Sequence, residues 1–307
     1  MEKRRVVSVS LGSCRRDKLA TAELLGYEIT LERRGTDGDM KRAAELISQL
    51  DGQVDAIGLG GIDLYIWIGR HRYTIRDALK LARAAQRTPV VDGSGLKHTL
   101  EREAVGWLAA HPEALPKPLG EMSALLVSGA DRWGMAEALS QHCRAVTFGD
   151  LMFTLGIPIP LRSLTALYRV GRVLAPIVVR LPFSMLYPTG KKQQEITPKY
   201  TSHFMAADLI AGDFHYIRKY LPDRLPGKVI LTNTTTEGDR RLLAERGVST
   251  LVTTTPVIDG RSFGTNLLEA AFVAIGGPEK AGDLAFYRKL MSELNYAPSV
   301  QRLDHGG

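Results

Sequence analysis

Cysteine is nearly absent from this 307-residue chain, which has two, Cys14 and Cys143. Two thiols build no disulfide framework and offer no metal-ligand spacing, so no metal is expected and a reducing cytoplasm is the expected setting. Long apolar runs are missing as well. No stretch approaches the roughly 18 uncharged apolar residues that a membrane span needs. The opening Met-Glu-Lys-Arg-Arg lacks the apolar region of a secretory signal. Acid is missing locally. From Leu151 to Gln194 there is no Asp or Glu, while Arg162, Arg169, Arg172, Arg180, Lys191 and Lys192 supply much of a formal net charge of +7. Such a patch can attract an anionic substrate, a nucleotide, nucleic acid or a membrane surface. It lacks the aromatic-basic interleaving of a single-strand binder and so gives no strong nucleic-acid signal.

What is present is an ordinary globular composition, 44% apolar, in a chain long enough for two domains. Strand-like and helix-like segments alternate in both halves, which predicts two α/β domains with a cleft between them. Strands are expected at Arg5–Ser10, Tyr27–Glu32, Val54–Leu59 and Pro89–Val91, with a hairpin over 64–74. Further strands are expected at Ala124–Val127, Ala145–Phe148, Ile177–Arg180, Leu209–Ala211, Lys228–Leu231 and Thr250–Val252. The residues from Leu11 to Lys18 read as a solvated loop and helix start, and Pro182–Gln194 as a long polar loop. His111–Gly120, with three prolines and a glycine, marks a linker. The expected division is an α/β substrate-type domain over 1–118, a Rossmann-like doubly wound parallel sheet over 119–276, and a helical extension over 277–307. Almost every cluster of glycine, hydroxyl and charged residues follows a strand, and in open α/β sheets ligands bind beyond the carboxyl ends of the strands.

Residues 122–150 carry the most specific pattern. The apolar run Ala124–Val127 is followed by a turn bounded by Gly129 and Gly134, then a helix, then the strand Ala145–Phe148 and Asp150. Strand, glycine turn, helix, strand, acid is the dinucleotide-binding layout, in which backbone N–H groups and the helix N-terminus face a pyrophosphate and the acid binds a ribose hydroxyl pair. Gly129, Asp131, Arg132, Trp133, Gly134 and Asp150 are therefore the candidate cofactor residues, joined by Asn233 and Thr234 after a later strand. Asp150 favours NAD over NADP, because a carboxylate repels the extra 2′-phosphate. Asp131 stands where the fingerprint wants glycine; Arg132 can offset its charge, or Asp131 can cap the helix. A tight turn with no cofactor is the alternative.

An N-terminal α/β domain followed by a dinucleotide fold, with Val-Asp-Gly-Ser-Gly-Leu-Lys at 91–97 and Gly-Asp-Phe-His-Tyr-Ile at 212–217, resembles the shikimate and quinate dehydrogenase family, including bacterial proteins of the quinate 5-dehydrogenase kind. The resemblance implies a catalytic domain first, an NAD or NADP turn second, and a late helix that returns to line the substrate pocket. It implies that Lys97 assists proton transfer and that Gly264–Glu269 corresponds to the late helix, bringing Asn266 to the substrate. The family's Ser-rich substrate motif and its Asn-Thr-Asp segment are absent, and from His98 to Ala130 there is no Asp.

The residues themselves offer further candidates. Lys97 in a partly closed cleft can have its pKa lowered. Asp63 after Gly60-Gly61 can orient a substrate hydroxyl or partner Lys97, and Asp92 is a similar case beside Ser94. Ser13, between Gly12 and two arginines, can line an anion-binding turn. Cys14 can be a nucleophile if arginines depress its pKa. His98 and His215 are acid–base candidates or satisfied structural residues. The expected activity is NAD-dependent oxidation or reduction of a small polyhydroxylated anionic metabolite. The alternative is a non-redox protein that binds or transfers a phosphorylated metabolite or nucleotide. A homodimer is allowed by the sequence.

Overall fold

The computed structural model of the chain describes residues 1–182, 195–258, 261–262 and 264–303. It is a mixed α/β architecture built on two mainly parallel sheets. In the first, β1 (Glu2–Ser10) is the central strand, and Val6, Val7 and Val9 in it are fully buried, as expected of a parallel strand covered on both faces. β2 (Lys18–Leu24) runs antiparallel to β3 (Tyr27–Gly35), which pairs parallel with β1. β4 (Ala56–Gly60) lies on the other side of β1. Then comes the hairpin of β5 (Tyr65–Ile68) and β6 (His71–Thr74), and β7 (Val90–Val91) pairs with β4. The order is β2-β3-β1-β4-β7. The connection after β1 goes to one side and β4 returns on the other, so the sheet's switch point lies between β1 and β4.

Helices close both faces. α1 (Met40–Leu50) is capped by Asp39, whose side chain accepts from the Lys41 and Arg42 amides, and buries Ala43, Ile47 and Leu50. Together with α2 (Arg76–Ala82) it covers one face over Val7, Val9, Ile57 and Leu59. α3 (Ser94–Ala110) then carries the chain across. Its start, with Leu96 and Leu100, packs in the first sheet's core, while Val105 and Leu108 pack in the second.

The second sheet contains β8 (Ser123–Leu126), β9 (Ala145–Phe148), β10 (Leu209–Ala211), β11 (Val229–Thr232) and β12 (Thr250–Thr253), all parallel. The short strands β13 (Val257–Ile258) and β14 (Arg261–Ser262) pair with each other, and β15 (Ser299–Arg302) adds antiparallel to β12. The order β15-β12-β11-β10-β8-β9 places this sheet's switch point between β8 and β10. α4 (Trp133–His142) and α5 (Leu164–Val178) lie toward one face; α6 (Thr201–Ala206), α7 (Phe214–Lys219) and α8 (Glu237–Glu245) lie toward the other.

Three expectations are corrected. The stretch after Gly12 is a single 3₁₀ turn followed by strand β2, whose Ala20, Ala22 and Leu24 alternate inward. Ile177–Arg180 is not a strand: α5 continues to Val178, because Leu167, Gly171 and Ala175 keep one buried helical face. The late helix, α9 (Thr265–Gly276), does not close the second domain. With α10 (Leu284–Glu293) it packs on the first sheet, and β15 then returns to the second. The boundaries at 118 and 276 therefore cut across packed units. The expected loop over 183–194 lies outside the described residues.

Candidate interdomain polar site

The two switch points supply the site. Beyond β4, Gly61 takes a left-handed conformation (φ +76°) and delivers Asp63. Beyond β8 come Ser128, Asp131 and Arg132, and beyond β10 comes Asp213. Between them stands Lys97, in the first turn of α3. Its ammonium is 3.6 Å from Asp63 Oδ2 and 3.9 Å from Asp131 Oδ2, with a side chain only 13% exposed. Burial opposes the charge, but Asp63 and Asp131 outweigh it and hold the Lys97 pKa above its ordinary value. The expected lowering is thus reversed: this lysine is a cation and a hydrogen-bond donor at neutral pH, not a free-amine base. Burial pushes Asp63 upward, with Asp92 and Asp131 adding to the effect.

Arg132 forms a second layer. It is 3% exposed, one Nη meets Glu101 Oε1, and the other lies 2.8 Å from Asp213 Oδ2. Burial works against this guanidinium too, but Glu101 and Asp213 keep its pKa above the usual value. Burial pushes Glu101 up to about 7 against the pull of Arg132. Asp213 Oδ2 also accepts from Asn233 Nδ2 at 3.1 Å, and the Ser128 hydroxyl donates to Asp131 Oδ1. Two buried atoms in this layer, Glu101 Oε2 and Arg132 Nε, have no hydrogen-bond partner.

The glycine turn is arranged differently from the dinucleotide expectation. Asp150 is buried and points back into the turn, where Oδ1 accepts from the Gly129 amide at 3.0 Å and the Ala130 amide at 2.7 Å. Burial raises its pKa to about 7. The amides expected to hold a pyrophosphate are therefore taken by the side chain expected to hold the ribose. Gly134 serves close packing: a Cβ there would collide with the His98 carbonyl of α3. Asp131 does not cap α4, whose N-cap position is Arg132 with no side-chain cap bond. Arg132 faces acids rather than a phosphate. Trp133 is core, 3% exposed and edge-on to Tyr168 at 6.0 Å.

The remaining candidates have local structural duties. Asp92 accepts from the Leu64, Tyr65 and Ser94 amides and from the Ser94 hydroxyl, tying the segment after Asp63 to the start of α3. Asn266 donates to Ser8 Oγ at 2.6 Å, and its backbone crowds Gly58 and Gly93, fastening α9 across the first sheet. Ser13 caps the 3₁₀ turn through the Arg15 amide. Thr234 meets Thr255, hydroxyl to hydroxyl, at 2.9 Å. Cys14 is exposed and a hydrogen bond with Asp37 raises its pKa, the reverse of what an activated nucleophile needs. Burial lowers His98 to about 4, so it stays neutral. Two open surface grooves, each about 390 Å³, lie between α8 and β15 and between the β5–β6 turn and α5, and neither is lined by Lys97, Asp63 or Asp131.

Sequence reasoning reached Lys97, Asp63, Asp131 and Asn233 but missed Glu101 and Asp213 as site residues. Each had a signal. Glu101 is one helical turn after Lys97 and therefore on the same face. Asp213 directly follows a strand at the switch point.

Fold and site together define a two-sheet α/β protein whose charged cluster is drawn from the carboxyl ends of strands in both sheets. Residues 95–303 match the family described as "Domain of unknown function (DUF8754)", and the chain belongs to it. Residues 5–92 match "Domain of unknown function (DUF8753)". The break between the two falls where the chain leaves β7 for α3. No curated protein matches. Among solved structures, the chain is similar to the NAD-dependent malic enzyme of Thermotoga maritima at 15% identity and a TM-score of 0.38, with 90% of this chain and 72% of that one covered. It is also similar to GanP, a glucose-galactose binding protein of Geobacillus stearothermophilus, at 10% identity and a TM-score of 0.37, with 98% of each chain covered.

Proposed function

We propose that the protein binds a small polyhydroxylated metabolite at the Lys97 cluster and, when it acts chemically, moves a proton there. The observation that supports this reading is the meeting of Lys97 with Asp63 of the first switch point and Asp131 of the second. A protonated lysine donates to a ligand oxygen and stabilises negative charge that develops on it. The flanking carboxylates accept from ligand hydroxyls, and a proton that Asp63 takes from one of them can pass to Lys97 once the lysine has given its own to the ligand oxygen. Among the described residues, four carboxyl groups (Asp63, Glu101, Asp131, Asp213) accompany two cations (Lys97, Arg132). That balance favours an uncharged polyol over a phosphorylated or otherwise anionic ligand.

The test is a thermal-shift and calorimetric comparison of neutral sugars and cyclitols, quinate, shikimate, phosphosugars and NADH. Neutral polyols should raise the melting temperature, and Lys97→Met should abolish the rise. Stabilisation by phosphosugars alone would overturn the proposal.

NAD-dependent oxidoreduction is the second reading, favoured by the position of the glycine turn at the second sheet's switch point. The turn as it stands does not fit a diphosphate, because the Asp150 carboxylate occupies its amides. If this reading holds, NADH titration should give a saturable fluorescence change that Asp150→Ala, which frees the Gly129 and Ala130 amides, strengthens. Its absence would remove the redox reading and leave the polyol reading intact.

A further inference from the structure

The outward face of α5 has no task in the site just described. The inner face of this helix already has its core contacts: Leu167, Gly171 and Ala175 are buried, and a Cβ on Gly171 would meet Ile68 at 2.9 Å. On the opposite stripe, at helical spacing, stand Arg169, Arg172, Val173 and Ile177, with Arg180 in the turn just past the helix, all exposed, Val173 at 68% and Ile177 at 59%. The segment leading into the helix repeats the composition with exposed Leu155, Ile157, Ile159 and Arg162. No Asp or Glu occurs anywhere from Leu151 to Gln194. A helix with apolar residues on two opposite faces, one of them flanked by arginines of its own segment, has a second surface to cover.

We infer that this face docks on an anionic phospholipid bilayer as a peripheral contact. Charge decides among occupants. A second copy meeting the same patch about a two-fold axis would set arginine against arginine with no acid of this segment between them. A nucleic acid would satisfy the arginines, but its phosphates give the exposed aliphatic side chains nothing to pack against. A bilayer with anionic headgroups satisfies both, with guanidinium groups at the phosphates and Val173 and Ile177 reaching the acyl boundary. The contact lies on the surface: among the described residues, no helix is long and apolar enough to cross a membrane.

The test is flotation of the full chain with phosphatidylcholine vesicles and with mixed phosphatidylcholine–phosphatidylglycerol vesicles, at low and high salt. The protein should float with the mixed vesicles only, and salt should release it. Arg169→Gln with Arg172→Gln should lower partitioning about 30-fold, from roughly fivefold per charge near the surface. Val173→Ser with Ile177→Ser keeps the charge and should lower it at least about tenfold, by lost apolar burial. These side chains are exposed, so an unchanged melting temperature verifies folding in each variant. The inference is overturned by equal binding to neutral vesicles, by no binding, or by binding that both double variants leave intact. It is also overturned if duplex DNA or RNA is bound in preference to vesicles, or if the arginine variants abolish a concentration-dependent dimer instead.

Discussion

Glu269 makes the sharpest test of how the first sheet and α3 are joined. It sits on α9, 2% exposed, beneath the start of the helix that carries Lys97. Oε2 accepts from the Leu96 amide at 3.2 Å and Oε1 from the Tyr287 hydroxyl at 2.9 Å. Burial dominates these contacts and lifts its pKa from an ordinary 4.5 to about 8. The folded value stands above the unfolded one, so the folded state holds this proton more tightly. The resulting stability is fully present below pH about 4.5 and is lost as pH climbs through about 8. At about 1.4 kcal/mol per pH unit, the full span is on the order of 5 kcal/mol, of which about 4 falls between pH 5 and 9. Glu269→Gln removes the titration while keeping an amide oxygen for the Leu96 N–H. Guanidinium unfolding of the protein and the variant across that range should show the stability difference changing by about 4 kcal/mol, with the variant gaining as pH rises. Parallel curves would refute the assignment of a protonated acid beneath α3.

Other substitutions test the remaining joints. Arg132→Met leaves Glu101 and Asp213 buried without their cation and should cost about 3–5 kcal/mol at neutral pH by chemical denaturation, less in acid, where Glu101 takes up a proton. Asp150→Ala strips the acceptor from the Gly129 and Ala130 amides and should cost about 2 kcal/mol, with faster hydrogen exchange at both amides; Asp150→Asn, which keeps one acceptor oxygen, should cost less. Gly134→Ala drives a methyl into the His98 carbonyl and should lower stability by about 1–3 kcal/mol. Gly106→Ala on α3 meets open space and should raise it by about 0.5–1 kcal/mol.

How much was legible in the sequence depended on what each signal encodes. Spacing along the chain is a good guide to which residues follow a strand, and Asp63, Lys97 and Asp131 all lie in clusters that do, Asp63 and Lys97 as proton-handling candidates and Asp131 as a cofactor-turn candidate. Spacing is silent on where a side chain turns. Asp150 lies at the right distance for a ribose ligand, yet the helical turn over Asp150–Thr154 aims it inward, onto the amides it was expected to leave for a cofactor. Local propensity misled in two places for opposite reasons. Lys18–Leu24 contains two alanines and a glutamate, good helix formers, but pairing with β3 and the inward alternation of Ala20, Ala22 and Leu24 make it a strand. Ile177-Val178-Val179 reads as β-branched strand, but the helical phase of Leu167, Gly171 and Ala175 extends through it, so packing overrides preference. The deepest layer of the site was the hardest to read. Glu101 and Arg132 are neutralised only because α3 and α4 approach closely enough for Gly134 to touch His98. That proximity belongs to the packing of two helices 31 residues apart at the ion pair, and no single stretch of sequence carries it.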